Sequence, residues 1–207
     1  MATVLTPTKD IAVTTWAAVQ SLASNTVLIT TAVDTSTMWG LGLWLYFGRT
    51  TLTALTAACK IRVEGSYKAS GDNSWVPLYE VASNIATCSD EAVSGTVAAA
   101  QNAIGVASLT GFAAGDIIFV KNSTFANSEF HRVKSTDTAP TPDIVTLEDN
   151  LVNAATGGTI YDDAQMWFIP VDTRYLARVR VVFDGSGTGQ AVGVRCDVAY
   201  FNSITGT

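Results

Sequence analysis

The feature that most limits how this 207-residue chain can fold is the shortness of its apolar runs. Hydrophobic residues come in brief bursts cut by Gly, Asn, Asp, Ser and Pro, without the 3.6-residue spacing of long amphipathic helices. Only Ala98-Ala99-Ala100 invites a helical turn. Short apolar runs between turn-forming residues make strands, so the chain is predicted to be all-β. At 48% hydrophobic and 14% charged residues it has enough apolar surface for a core and too little charge to stay disordered. Its length allows one large all-β domain or two small ones.

The strands follow from alternation. Thr26–Val33 and Trp39–Phe47 read as strands buried on both faces, with Asp34-Thr35-Ser36-Thr37 as the turn between them. In Cys59–Tyr67, Cys59, Ile61 and Val63 point one way and Lys60, Arg62 and Glu64 the other, which is the period of a half-buried strand. The loop residues 69–74 then lead into Trp75–Val81, where Pro77 predicts an edge or a bulge and the pair predicts a hairpin. Near the C-terminus, Arg174–Phe183 and Ala191–Phe201 flank the glycine-rich Asp184–Gly189 and are expected to form a second, long hairpin. Its last strand sets Val192, Val194, Cys196, Val198 and Tyr200 on one face and Arg195 and Asp197 on the other.

Between these ends the composition shifts to small residues at Ala86. After a connection over Ala86–Ala103, five short strands are expected at 103–109, 117–121, 129–134, 144–148 and 159–161, enough to close a small barrel. The expected organisation is an outer β-sandwich from residues 1–85 and 165–207, with residues 86–164 as an inserted β-module.

Residues able to do chemistry are scarce. His131, the one histidine, lies on the alternating strand Glu129-Phe130-His131-Arg132, where Glu129 could orient it as a base. No nucleophile accompanies it, so a surface position without catalysis is expected and the chain is read as not an enzyme. Cys59, Cys88 and Cys196 are odd in number and lack Cys-x-x-Cys spacing, which fits free thiols made in a reducing cytoplasm. Asp162, Asp163 and Asp172 offer oxygens but no EF-hand spacing, so neither metal nor cofactor is expected. Gly185-Ser186-Gly187-Thr188-Gly189 precedes no Lys-Ser or Lys-Thr helix and reads as a hairpin turn rather than a phosphate loop. A net charge of -6 with no basic block argues against a nucleic-acid partner. The N-terminus shows no basic-then-apolar signal, and Met38–Phe47 is half the roughly 20 residues needed to span a bilayer, so neither export nor a membrane is expected. Among the five tryptophans, Trp16 and Trp75 adjoin loop-like stretches and are the candidates for a glycan or interface contact.

Two resemblances carry the functional reading. Thr110–Val120 with its Gly115-Asp116 turn, then Ser128–Val133 and Ile144–Leu151, resembles a small β-module recurring in virion proteins of tailed bacteriophages. Ser74–Leu78 together with Thr173–Val179 is similar to discoidin-like or jelly-roll sandwiches, used by phage capsid accessory and tail proteins. These resemblances imply a virion structural protein, made in the host cytoplasm, that partners the major capsid protein or other virion proteins and forms homo-oligomers. A capsid decoration or cement protein is the first expectation. A neck, tail or fibre-adaptor subunit, or a glycan-binding module for host adsorption, is the alternative. Low charge further predicts that assembly rests on apolar contacts rather than on ion pairs.

Overall fold

A computed structural model describes residues 5–6, 13–71, 73–202 and 205–206. Along the chain, β1 (Leu5–Thr6), β2 (Thr14–Leu22), β3 (Val27–Ile29), β4 (Val33–Asp34), β5 (Met38–Arg49), β6 (Lys60–Ser66) and β7 (Trp75–Ala82) come first. The middle holds β8 (Asp90–Ala92), β9 (Thr96–Val97), β10 (Ala103–Val106), β11 (Ile117–Lys121), β12 (Glu129–Asp137), β13 (Asp143–Leu147), β14 (Ala155–Thr156) and β15 (Thr159–Tyr161). The chain ends with β16 (Gln165–Asp172), β17 (Arg178–Asp184), β18 (Val192–Asn202) and β19 (Thr205–Gly206). Among the described residues the only helix is a 3-10 turn at Phe125–Asn127, so the fold is all-β.

Two sheets form the sandwich. The first has the order β16-β5-β18-β2 and the second β3-β17-β6-β7, with β4 also paired to β17. Their inner faces share one core. Leu41, Leu43, Leu45 and Phe47 of β5 and Val192, Val194, Cys196 and Val198 of β18 meet Ile61 and Val63 of β6 and Val179, Val181 and Phe183 of β17. The hairpin β6–β7 is present as its alternation predicts. Pro77 sits on the edge strand β7 beside a bulge, because the register slips between Val63 and Glu64.

The middle strands make their own sheet, β10-β13-β12-β11-β15-β8, around a separate core of Ile104, Val106, Ile118, Val133, Val145, Leu147 and Ile160. It has six strands rather than five, and its ladder does not close among the described residues. A single hydrogen bond, from the Ser94 N–H to the Gly105 carbonyl at 2.7 Å, joins its two edges. The chain enters and leaves this sheet at one place. Asn84 donates to the Asp163 carboxylate at 3.0 Å, and the Ser89 N–H to the Asp162 carboxylate at 2.7 Å. Arg49, buried to 1% exposure, ties the same neck by donating to the carbonyls of Ala86 and Thr53.

The middle sheet stands on the outer face of the first sandwich sheet through Phe119. Gly48 of β5 and Gly193 of β18 are opposite each other in register, and the ring lies over both. A Cβ at Gly48 would come within 2.6 Å of Phe119, and one at Gly193 within 2.8 Å. Val19, Tyr161 and Ala164 complete this small joint.

Three expectations need correction, and two strands had no counterpart among them. β17 and β18 are not a hairpin: they lie in different sheets, and Asp184–Gly189 arches between the layers. The two strands face one core from opposite sides, so their alternation is the same as that of a paired hairpin. Within the arch Thr188 is fully buried and its one hydroxyl proton lies between the Gly185 and Gln190 carbonyls, 3.0 and 2.8 Å from its oxygen. Thr26–Val33 splits into β3 and β4 because the Thr30 hydroxyl accepts the Val181 N–H and replaces a backbone rung, leaving Val27 and Ile29 half-exposed rather than buried. Arg174–Phe183 begins its strand only at Arg178, since the Asp172 carboxylate turns the chain by accepting the Arg174 N–H. Strands β2 and β16, which the alternation did not reveal, form both edges of the first sheet.

Gly48→Ala is expected to destabilise the chain by about 1–3 kcal/mol through overpacking against Phe119 and Phe130, measured by chemical denaturation. Replacing residues 86–164 by a short linker should leave a remainder that unfolds cooperatively, and in that background Gly48→Ala should cost nothing, because its clash has been removed. Absence of a cooperative transition in the shortened chain would refute a separable insertion.

Candidate functional site

The chemistry-bearing residues are occupied in structural work. His131 is not on the surface: its side chain is 7% exposed and its Nε2 lies 2.9 Å from the Glu129 carboxylate. Both project to the side of β12 that packs on the middle core, in register with Ile118 and Val120 of β11. Glu129 also accepts the N–H groups of Val152 and Asn153 and the Asn153 side-chain amide. Burial alone would raise this carboxyl, but the His131 contact and the two backbone N–H groups outweigh it and hold it below the usual range. The pair clamps the loop after β13 and has no nucleophile beside it among these contacts.

Cys59 and Cys196 are buried and Cys88 is partly buried. Burial pushes Cys59 up to about 12 and Cys88 up to about 11, and raises Cys196 as well, so each stays protonated at neutral pH. Asp162 and Asp163 serve the neck, whereas Asp172 pairs with Arg174 at the far end of β16. The eight-residue strand between them prevents the three carboxylates from converging.

The two nominated tryptophans also lie apart. Trp16 is within β2, where its indole N–H donates to the Thr31 carbonyl at 3.0 Å and its ring packs on the sandwich core. Trp75 opens β7 in the other sheet, with the Arg178 and Arg180 guanidinium groups 4.7 and 4.2 Å from its ring. They bridge the layers and cover the outer face; they do not form a common site.

What the structure leaves open is the part of the first sheet's outer face that the middle sheet does not reach. On β16, Met166 stands opposite Tyr46, Phe168 opposite Trp44 and Pro170 opposite Gly42. Phe168 is 52% and Met166 39% exposed, and the Phe168 and Trp44 rings are 4.9 Å apart. Gly42 keeps this strip flat, because a Cβ there would approach the Phe168 ring to 3.0 Å. Next along the rows, Arg195 and Asp197 neutralise each other at 2.9 Å. Burial first, and then the Asp197 carboxylate, push the Tyr46 hydroxyl up to about 12, so it adds no charge. The result is an exposed aromatic strip without net charge.

The sheet edges nearest this strip are protected. Edge strands β16 and β7 each carry a proline, Pro170 and Pro77, which lack the N–H that strand addition needs. On the opposite side the Trp16–Thr31 hydrogen bond closes the gap between layers. Beside this strip, association is thereby directed to the face rather than to the edge.

No protein-family profile matches the chain, and no curated protein matches its sequence. Among solved structures it is similar to VP17, a capsid protein of bacteriophage P23-77, at 9% identity and a TM-score of 0.19 over 91% of this chain and 98% of that one. It is also similar to the infectious bursal disease virus VP2 subviral particle, at 10% identity and a TM-score of 0.22 over 96% of this chain and 42% of that one. Both scores are too low to assign the chain to either fold.

Because the Glu129 carboxyl is held below its unfolded value near 4.5, its contribution to stability is present above that pH and is lost as pH falls through the lower folded value. Unfolding midpoints measured from neutral pH down to acid should therefore drop below about 4.5, and Glu129→Gln should flatten that limb. Glu129→Ala, which strands the Val152 and Asn153 N–H groups, should destabilise by about 1–3 kcal/mol for each group left unsatisfied. An unchanged acid limb in Glu129→Gln would dismiss the pair as the cause.

Proposed function

We propose that this chain is a structural subunit of a tailed-bacteriophage particle, and specifically a decoration or cement protein that lies on the head. The observation that carries the reading is the uncharged aromatic strip of Trp44, Met166 and Phe168 on a sheet whose nearby edge is blocked by Pro170. Exposed aromatic residues on a rigid sheet are what a packed interface uses as anchors. The resemblance of the middle strands to a recurrent virion β-module supports the same reading. The occupied state of His131 and the raised, protonated thiols are consistent with a chain that does no chemistry. Repetition over a shell makes even a shallow contact effective.

The test is to add purified chain to particles that lack it. Wild type should bind and remain bound at about 1 M salt, where the Debye length is about 3 Å, because apolar burial is not screened. Phe168→Asp should lose at least about 2 kcal/mol of binding, the scale of an interface hot spot, and fail to decorate. Release of wild type by salt, or normal binding by Phe168→Asp, would refute the aromatic contact. Copy number in complete particles separates locations: one that matches the capsomers supports the head, and that of a single ring would move the chain to the neck, tail or a fibre adaptor.

A further inference from the structure

At the side of the sandwich where β16 and β7 form the two edges, the layers do not close. Tyr79 of β7 stands opposite the core residue Val63. Trp39 of β5 sits at a bulge, where the register with β18 steps from Gly40 to Met38, and Met38 rather than Trp39 packs on the core. Leu41 and Val63 are fully buried, yet Trp39 is 46% and Tyr79 45% exposed. The two rings line a shallow cleft of about 550 Å³ with Leu41 and Val171 below it and Pro170 and Asp172 along its rim. Gly40 and Phe201 also line it. That volume falls in the range of small-ligand sites, about 300–1,000 Å³.

The rim is polar and fixed. The Asp172 carboxylate accepts hydrogen bonds from the Arg174 backbone N–H and from its guanidinium, with contacts of 3.0, 3.0, 3.0 and 2.5 Å. Thr173 holds this corner to β5 by donating to the carbonyls of Met38 and Trp39. Both members of the ion pair remain about half-exposed.

We propose that this cleft binds a sugar ring, with an apolar C–H face against Trp39 and Tyr79 and hydroxyls hydrogen-bonded to Asp172 and Arg174. Rings of Trp and Tyr offer broad apolar contact at little cost in flexibility, and a saccharide has the matching pairing of flat apolar face and polar edge. The rim decides against an apolar side chain from a neighbouring protein. Such a side chain would strip water from Asp172 and Arg174 and return no hydrogen bond, whereas hydroxyl groups replace the lost water by charge-assisted bonds. Arg174 keeps the Asp172 carboxyl down at about 2, so the acceptor is charged at any physiological pH. The site adjoins the assembly strip across Pro170, which borders both, and sugar binding does not depend on the particle to which the chain belongs.

The test uses the full chain with chitotriose, maltohexaose and cellohexaose as probes, followed by amide chemical shifts up to about 10 mM, well above a millimolar dissociation constant. At least one probe should bind, with shifts centred on Trp39, Gly40, Tyr79 and Asp172. Trp39→Ala and Tyr79→Ala should each weaken binding by about tenfold or more, equivalent to ~1.4 kcal/mol. Tyr67→Ala, an exposed ring elsewhere, should bind as wild type. Trp39→Phe, which preserves most of the packing, should retain part of the affinity and separates loss of the site from loss of fold. No binding by any probe, or wild-type shifts centred away from this cleft, would overturn the proposal. So would undiminished binding by the Trp39→Ala, Tyr79→Ala double variant. Failure of sugar binding with intact particle binding would leave the assembly reading standing alone.

Discussion

The arrangement of the whole molecule depends on one ring lying on two missing side chains. Phe119 reaches the sandwich only because Gly48 and Gly193 face each other across β5 and β18 and leave a flat place the size of an aromatic ring. Glycine inside a strand sacrifices backbone entropy and packing area, so two adjacent ones on a central pair weaken the sheet unless something fills the space. Phe119 fills it, and Val19, Tyr161, Ala164 and Phe130 surround the contact. By covering that end of the outer face, the joint determines which aromatic residues remain exposed beyond it.

Much of the fold was legible where one strand's own residues decide its environment. The alternation of Cys59, Ile61 and Val63 with Lys60, Arg62 and Glu64 defines a half-buried strand without outside information, and Pro77 marks an edge because it lacks a donor. The strands Ile117–Lys121 and Thr159–Tyr161 lie where their short apolar runs place them. Partnership was not legible in the same way. β17 and β18 present alternate apolar residues to a common core, and that pattern does not distinguish neighbours in one sheet from strands facing each other across two. β2 was hidden for another reason: Thr14–Leu22 is rich in small residues, and its burial comes from what packs on it.

The same distinction explains the site. Trp16 and Trp75 looked exposed because their sequence neighbours are loop-like, yet the residues that occupy them, Thr31, Arg178 and Arg180, come from elsewhere in the chain. Trp39 and Phe168 sit in strongly apolar stretches that read as core. They are exposed because one lies at the unsealed side of the sandwich and the other beyond the reach of the middle sheet. In Met166-Trp167-Phe168-Ile169-Pro170-Val171 both faces are apolar, and that doubling is the sequence sign of a strand with a second surface to cover.

The prolines on β16 and β7 bear on what happens before any partner arrives. On the proposed reading the chain is needed in many copies, and an all-β chain at high concentration risks edge-to-edge growth into fibrils. Pro170 and Pro77 withhold backbone donors on the side that opens beside the aromatic strip, so strand addition is disfavoured at those two edges. On that reading, resistance to edge growth and readiness for face contact fall to different parts of the same strand: the backbone of β16 lacks a donor at Pro170 while its Met166 and Phe168 side chains stay exposed.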